Sequence, residues 1–218
     1  MTFSVLARDP RTGALGGAAV TGNLCVGGWV LRGDPRVGLS ASQGHLPSTL
    51  WGEDVLLRLA DGVAPDEAVA QIVAADAGHA SRQLSVLTRE GAVAAHDGAA
   101  NHPYTGHLSG PDWIVAGNWL GSRRVIEAAA GALTSGGEDL ETRLIAALRA
   151  GIAAGSDRRG TLSAGLLMLA EDRPPLDLRV DWDPAPVDRL DRLLAMTRDP
   201  AYRAWLDALP TRREPERA

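Results

Sequence analysis

Threonine follows the first methionine, and that junction carries the sharpest chemistry in the chain. An initiator methionine is removed when the next residue is small, so the mature chain is expected to begin at Thr2. A threonine hydroxyl is a weak nucleophile without activation. The α-amine of the same residue, with a reference pKa of roughly 7.7–8.0, is a base poised near neutral pH. One residue then supplies both nucleophile and base. The plainer reading is an ordinary threonine that happens to follow Met1.

Five other groups of residues have types suited to a site. Asp157, Arg158, Arg159 and Gly160 fall between an expected helix and an expected strand, where sites are commonly built. An arginine there can hold a carboxylate in a two-pronged fork, and Asp157 can orient a terminal amine; a local Asp–Arg ion pair would fit equally. Gly117-Asn118 ends an expected buried strand, where a backbone N–H or the Asn118 amide can stabilise an oxyanion, or simply cap the strand. Gln43, beside Ser42 at a strand end, can meet polar groups of a substrate. Asn23 and Arg82-Gln83 read as a turn residue and as the start of a strand with a surface ion pair.

The remaining reactive types say less. The five histidines, His45, His79, His96, His102 and His107, show no helical ligand spacing, so no metal site is expected. His102 and His107 share an expected loop with Tyr104 and can line a pocket there. Cys25 is expected as an inert thiol in an apolar strand. All 22 basic side chains are arginine, so no lysine amine is present to act as base or Schiff-base former. No glycine run matches a phosphate-binding loop, and no cofactor is expected.

The elements that must position these residues follow from periodicity. Residues 2–8 and 14–21 read as a hairpin around the turn Asp9-Pro10-Arg11-Thr12-Gly13. The small residues of the return strand imply that something packs close to its backbone. Strands are expected over 24–31 and 36–42, and helices over 48–61 and 65–75, the second opened by Pro65. A second hairpin spans 82–88 and 91–97, and a short buried strand 113–118. Helices over 122–134 and 139–153, strands over 161–170 and 176–181, and a helical end over 184–208 complete the order. Helices arrive in pairs between groups of strands. That disfavours a doubly wound parallel sheet and favours antiparallel sheets covered by helix pairs, an α+β layered domain. One domain over 1–209 is expected, with 210–218 a frayed tail.

Composition removes several classes. The 218 residues are 45% hydrophobic and 22% charged, which is globular. A net charge of −5 argues against a general nucleic-acid binder. No 18-residue apolar run offers a membrane span, and no signal peptide is read at the start. A single cysteine excludes internal disulfides, so a reducing cytoplasm is the expected home.

The chain also resembles a family. The opening Thr2-Phe3-Ser4-Val5-Leu6-Ala7-Arg8-Asp9-Pro10, with Thr12-Gly13 and Leu15-Gly16, is similar to the bacterial family catalogued as domain of unknown function 1028. Further pieces match in order: Gly38-Leu39-Ser40-Ala41-Ser42-Gln43, Arg82-Gln83-Leu84, Gly117-Asn118, Gly155 with Asp157 and Arg159-Gly160, and Asp177-Leu178-Arg179-Val180-Asp181. One departure is Thr21-Gly22, where many relatives carry Ser-Lys or Ser-His. The resemblance covers residues 2–195 and implies an N-terminal nucleophile hydrolase: a four-layer αββα sandwich that cleaves an amide-type C–N bond. The expected reaction is hydrolysis of a small, anionic amide. Thr2, Asn118 and Asp157 would be catalytic, and Gln43, Gly117, Arg158, Arg159 and Gly160 would bind substrate. The expected partners are that substrate and further copies of the chain. The rival from another class is a non-catalytic binding or scaffold protein on the same fold, which has no need of a free Thr2.

Overall fold

Strand alternation sorts the first hairpin into two faces. In the computed structural model, which describes residues 1–155 and 160–217, it forms as β1 (Thr2–Arg8) and β2 (Leu15–Thr21). Phe3, Val5 and Ala7 point to one side of β1 and join a core with helical residues. Leu6 points to the other side and joins a second core with Leu39, Leu87 and Ile114. Because side chains alternate along a strand, Thr2 and Ser4 share the face of Leu6.

Between β2 and β4 (Gly38–Gly44) the expected strand over 24–31 is corrected. A five-residue helix α1 (Val26–Val30) forms there, followed by β3 (Leu31–Asp34). The glycine pair Gly27-Gly28 lets this turn pack closely: a Cβ at Gly27 would meet the Arg179 side chain at 2.8 Å. Cys25 is therefore not a strand residue. It adopts a left-handed conformation (φ 60°) ahead of α1 and is only partly buried.

Helices α2 (Thr49–Ala60) and α3 (Pro65–Ala75) follow, then β5 (Arg82–Thr88) and β6 (Val93–Asp97). The segment expected as a histidine-bearing loop is instead strand β7 (Tyr104–Gly110), paired to β8 (Trp113–Leu120). Its alternation is hidden because β7 is an edge strand with few buried side chains. Helices α4 (Arg124–Thr134) and α5 (Leu140–Ala153), strands β9 (Ser163–Leu169) and β10 (Leu176–Val180), and helices α6 (Pro186–Met196) and α7 (Pro200–Asp207) complete the chain. The helical end expected over 184–208 divides into two helices, since Asp199 caps a fresh start at Pro200. Beyond α7, the stretch expected to fray runs along the molecule: the Arg213 N–H donates to the Glu171 carbonyl, and Thr211 is buried.

Among the described residues the strands form two antiparallel sheets. One has six strands in the order β10-β9-β2-β1-β8-β7, and the other four in the order β3-β4-β5-β6. The two sheets face one another across the core of Leu6, Leu15, Leu39, Leu87, Ile114 and Leu169. Helices α4, α5 and α6 cover the outer face of the six-stranded sheet, and α2 and α3 that of the four-stranded sheet. The small residues of β2 have their reason here. A Cβ on Gly16 would come within 2.6 Å of the Leu144 side chain on α5. Among the described residues no helix is long and apolar enough to cross a membrane.

Candidate functional site

The space between the two sheets changes character along the strands. At one end it is closed by the leucines just named. At the other end the same inward positions carry Thr2 and Ser4 on β1, Thr21 on β2, Ser163 on β9 and Asn118 on β8. Facing them are Gln43 on β4, Gln83 on β5 and Asp97 on β6. Ladder register brings these residues together. Thr2 pairs with Thr21 on one side and with Asn118 on the other, and Gln83 pairs with both Gln43 and Asp97. Direct partners in a ladder have Cβ atoms about 4.5–5.5 Å apart on one face. Three residues from three separate strands therefore present their side chains as one row.

Thr2 Oγ1 lies 2.9 Å from Thr21 Oγ1, and Thr21 Oγ1 donates to the Met1 carbonyl at 2.9 Å. The Thr21 proton is thus committed, so Thr2 is the donor in the pair. Met1 itself is only 5% exposed, its side chain in the helix-facing core beside Phe3.

Next to this pair lies a fully buried amide network. Gln43 Nε2 donates to Gln83 Oε1 (2.7 Å) and to the Ala116 carbonyl (3.2 Å). Asn118 Nδ2 donates to Gln83 Oε1 (3.1 Å). Gln83 Nε2 donates to Asp97 Oδ1 (2.6 Å) and to the carbonyls of Gly117 (3.0 Å) and Gly106 (3.2 Å). Asp97 Oδ2 closes the chain with His107 Nδ1 at 2.7 Å. Burial alone would push the Asp97 carboxyl up, but the bonds from His107 and Gln83 hold it below the ordinary carboxylate range. The bond to Asp97 in turn raises His107 above the usual imidazole value, against the opposing effect of burial. Ser4 Oγ and Gln43 Oε1, both buried in this region, have no hydrogen-bond partner.

An aromatic pair stands near the end of β8. Trp119, directly after Asn118, is held at φ 56° and is 41% exposed, and its ring stacks on His45 at 5.3 Å. Strained conformations of non-glycine residues concentrate at functional sites.

The expected site residues distribute as follows. Thr2 and Asn118 come together, and Gln43 stands across from them inside the network. Gly117 turns its α-carbon to the helix-facing side, where a Cβ would meet Phe3 Cβ at 3.0 Å; its carbonyl anchors Gln83. Gly160 is exposed with φ +77°, a conformation that favours glycine. Asp157, Arg158 and Arg159 lie outside the described residues. The described residues around them reach the Thr2 end: Leu162 N–H donates to the Thr21 carbonyl, and the Gly155 carbonyl lies beside Gly121, just past β8. Asn23 is an exposed turn residue and Arg82 pairs with Asp76, both as expected.

Sequence reasoning missed Thr21, Gln83 and Asp97 as site residues, and offered His107 only as a pocket-lining residue on a loop rather than on strand β7. The legible signal was Gln83 and Asp97, polar residues at the inward positions of strands that otherwise bury Ser85 and Leu87 or Val93 and Ala95.

Two cavities, of about 540 and 790 Å³, open elsewhere. The first surrounds Asp9 and Arg11, past the far end of β1, about 20 Å along the strand from Thr2. Among its charged groups Asp9 pairs with Arg11 and Asp139 with Arg198. Chemistry favours the Thr2 end, where polar groups are buried between the sheets.

Comparison with known proteins gives two findings. The model of the family described as "Family of unknown function (DUF1028)" matches residues 2–190. A crystal structure of a Silicibacter pomeroyi protein assigned to DUF1028 is similar, with 45% identity and a TM-score of 0.96, over 99% of this chain and 94% of that one. No curated protein matches the chain.

Proposed function

The chain belongs to the DUF1028 family, and from that premise we propose that it hydrolyses an amide-type C–N bond in a small anionic molecule, with Thr2 as the N-terminal nucleophile. The layer order helix, sheet, sheet, helix supports reading the fold as an αββα sandwich of the N-terminal nucleophile type. The observation that carries the proposal is the position of Thr2. It opens β1 on the inter-sheet face, in register with Thr21 and Asn118, at the polar end of that space.

In this reading Met1 is removed and the Thr2 α-amine becomes the base. It takes the proton from Thr2 Oγ1 as that oxygen attacks the substrate carbonyl carbon. The carbonyl oxygen becomes an oxyanion, which an Asn118 N–H stabilises. The amine returns its proton to the leaving nitrogen as the C–N bond breaks. Water, activated by the same amine, then cleaves the acyl ester and restores the hydroxyl. Thr21 holds the Thr2 hydroxyl in place. Asp157, Arg158 and Arg159 are proposed from the sequence to orient the amine and fork a substrate carboxylate.

A specific observation favours the non-catalytic reading as the alternative. Met1 has a place: its side chain is buried and its carbonyl accepts from Thr21 and from the Gly22 N–H. Removal must therefore precede closure of β1, on the nascent chain. Intact mass of untagged protein separates the two readings. A chain beginning at Thr2 that turns over anionic amides in preference to neutral ones supports the hydrolase. A fully retained Met1 with no turnover overturns it in favour of a binding protein.

A further inference from the structure

We infer that Gln83 and Asp97 are positioning residues that fix the orientation of the Asn118 amide toward Thr2; the inference rests on the hydrolase reading above. A carboxamide can be placed either way round, and the two placements are chemically opposite. At Gln83 only one works. Its nitrogen faces three acceptors: the Asp97 carboxylate and the carbonyls of Gly106 and Gly117. Turned over, its oxygen would face those three oxygens in a buried setting, and its NH₂ would face the NH₂ groups of Gln43 and Asn118. The Asp97 carboxylate makes the preference strongest, since bonds to a charged acceptor are about twice as strong as neutral ones.

With Gln83 fixed, its Oε1 demands a donor from Asn118. That places the Asn118 nitrogen, not its oxygen, toward the interior row and commits one of its two protons to Gln83. The other proton is the donor for an acceptor held at Thr2. Gln83 has no exposed surface and Asn118 is 2% exposed, so solvent does not compete for these bonds. Neither Gln83 nor Asp97 touches the substrate. Their effect passes through Asn118 alone.

A β-lactone tests this without knowledge of the substrate. Thr2 Oγ1 attacks the lactone carbonyl, the ring C–O bond breaks, and the hydroxyl proton ends on the released ring oxygen. The protein gains the full mass of the lactone. Periodate, which cleaves any N-terminal 1,2-amino alcohol, independently reports a free Thr2 and needs no oxyanion donor. Asn118→Ala is expected to slow acylation by about 10²–10³-fold. Gln83→Glu and Asp97→Asn are expected to slow it by about tenfold or more, and to cause no further loss in an Asn118→Ala background. Periodate cleavage stays unchanged throughout. Folded Gln83→Glu or Asp97→Asn protein that acylates at the parent rate, or that loses the same factor again without Asn118, overturns the inference. A free Thr2 that is never acylated in the parent protein instead removes the hydrolase reading, and this role with it. Should a variant fail to fold, the parent protein decides: the Gln83 side-chain amide protons must exchange slowly with solvent, and fast exchange refutes the positioning role.

Discussion

Thr2 Oγ1 and Thr21 Oγ1 meet at 2.9 Å across the first hairpin, nineteen residues apart, with Thr2 donating while the Met1 carbonyl holds the Thr21 proton. A turn between Asp9 and Gly13 sets that register, so the hydroxyl of the candidate nucleophile is held by the far end of its own hairpin. Thr21→Val keeps the shape and, in a chain that begins at Thr2, removes only this partner. Acylation of Thr2 by a β-lactone is expected to fall by about tenfold through loss of alignment, with the melting temperature little changed. Parent-like acylation would show that the pair is incidental.

Two different changes at the terminus should each abolish activity. Thr2→Ala removes the hydroxyl and keeps the amine. An uncleaved N-terminal tag keeps the hydroxyl and turns the amine into an amide, which accepts no proton near neutral pH. General-base catalysis contributes about 10²–10⁴-fold, and the tagged protein should lose at least that. Thr2→Ser should retain partial activity. The measurement is turnover of a tagged protein before and after a protease that leaves Thr2 first.

The His107–Asp97 pair gives a pH signature in stability. His107 is raised in the native state, so its contribution is complete below its ordinary value of 6.5 and disappears as pH rises through the raised value. Asp97 is lowered, so its contribution is present above 3.8 and disappears as pH falls through the lowered value. His107→Gln is therefore expected to cost most between those limits, and less at alkaline pH. The cost should be about 1 kcal/mol at most, because the pair is partly open to solvent. Thermal melting of both proteins across the pH range measures it. A difference that grows with rising pH would contradict the assignment.

The start of β1 is also held from the helix side. A Cβ at Gly151 on α5 would come within 2.6 Å of the Phe3 ring, the residue next to Thr2. Gly151→Ala gains about 0.5–1 kcal/mol of helix propensity and loses about 1–3 kcal/mol to overpacking. The net loss should be about 1–2 kcal/mol, or a melting temperature lower by a few degrees at this chain length. An unchanged or raised melting temperature would show that Phe3 repacks freely.

The sequence by itself determined the parts of this protein whose signals are local. Alternation marked β1, start and stop residues marked α2 and α3, helical spacing marked α5, and turn chemistry marked the first hairpin. Thr2 stood out because its reactivity depends on chain position alone. The sequence also placed Asn118 at the end of a buried strand. It misread residues 24–31, where β-forming apolar residues are overridden by two glycines that let α1 pack on Arg179. It passed over β7, whose mostly exposed side chains leave no alternation to read. Only the tertiary structure decided which residues share the space near Thr2. Thr21, Gln83, Asp97 and His107 are each ordinary strand residues in their own segments. Their meeting depends on strand order, on register within each sheet, and on which faces the two sheets turn to one another. Those are choices made by burial of the leucine-lined end of the inter-sheet space, and no local pattern encodes them.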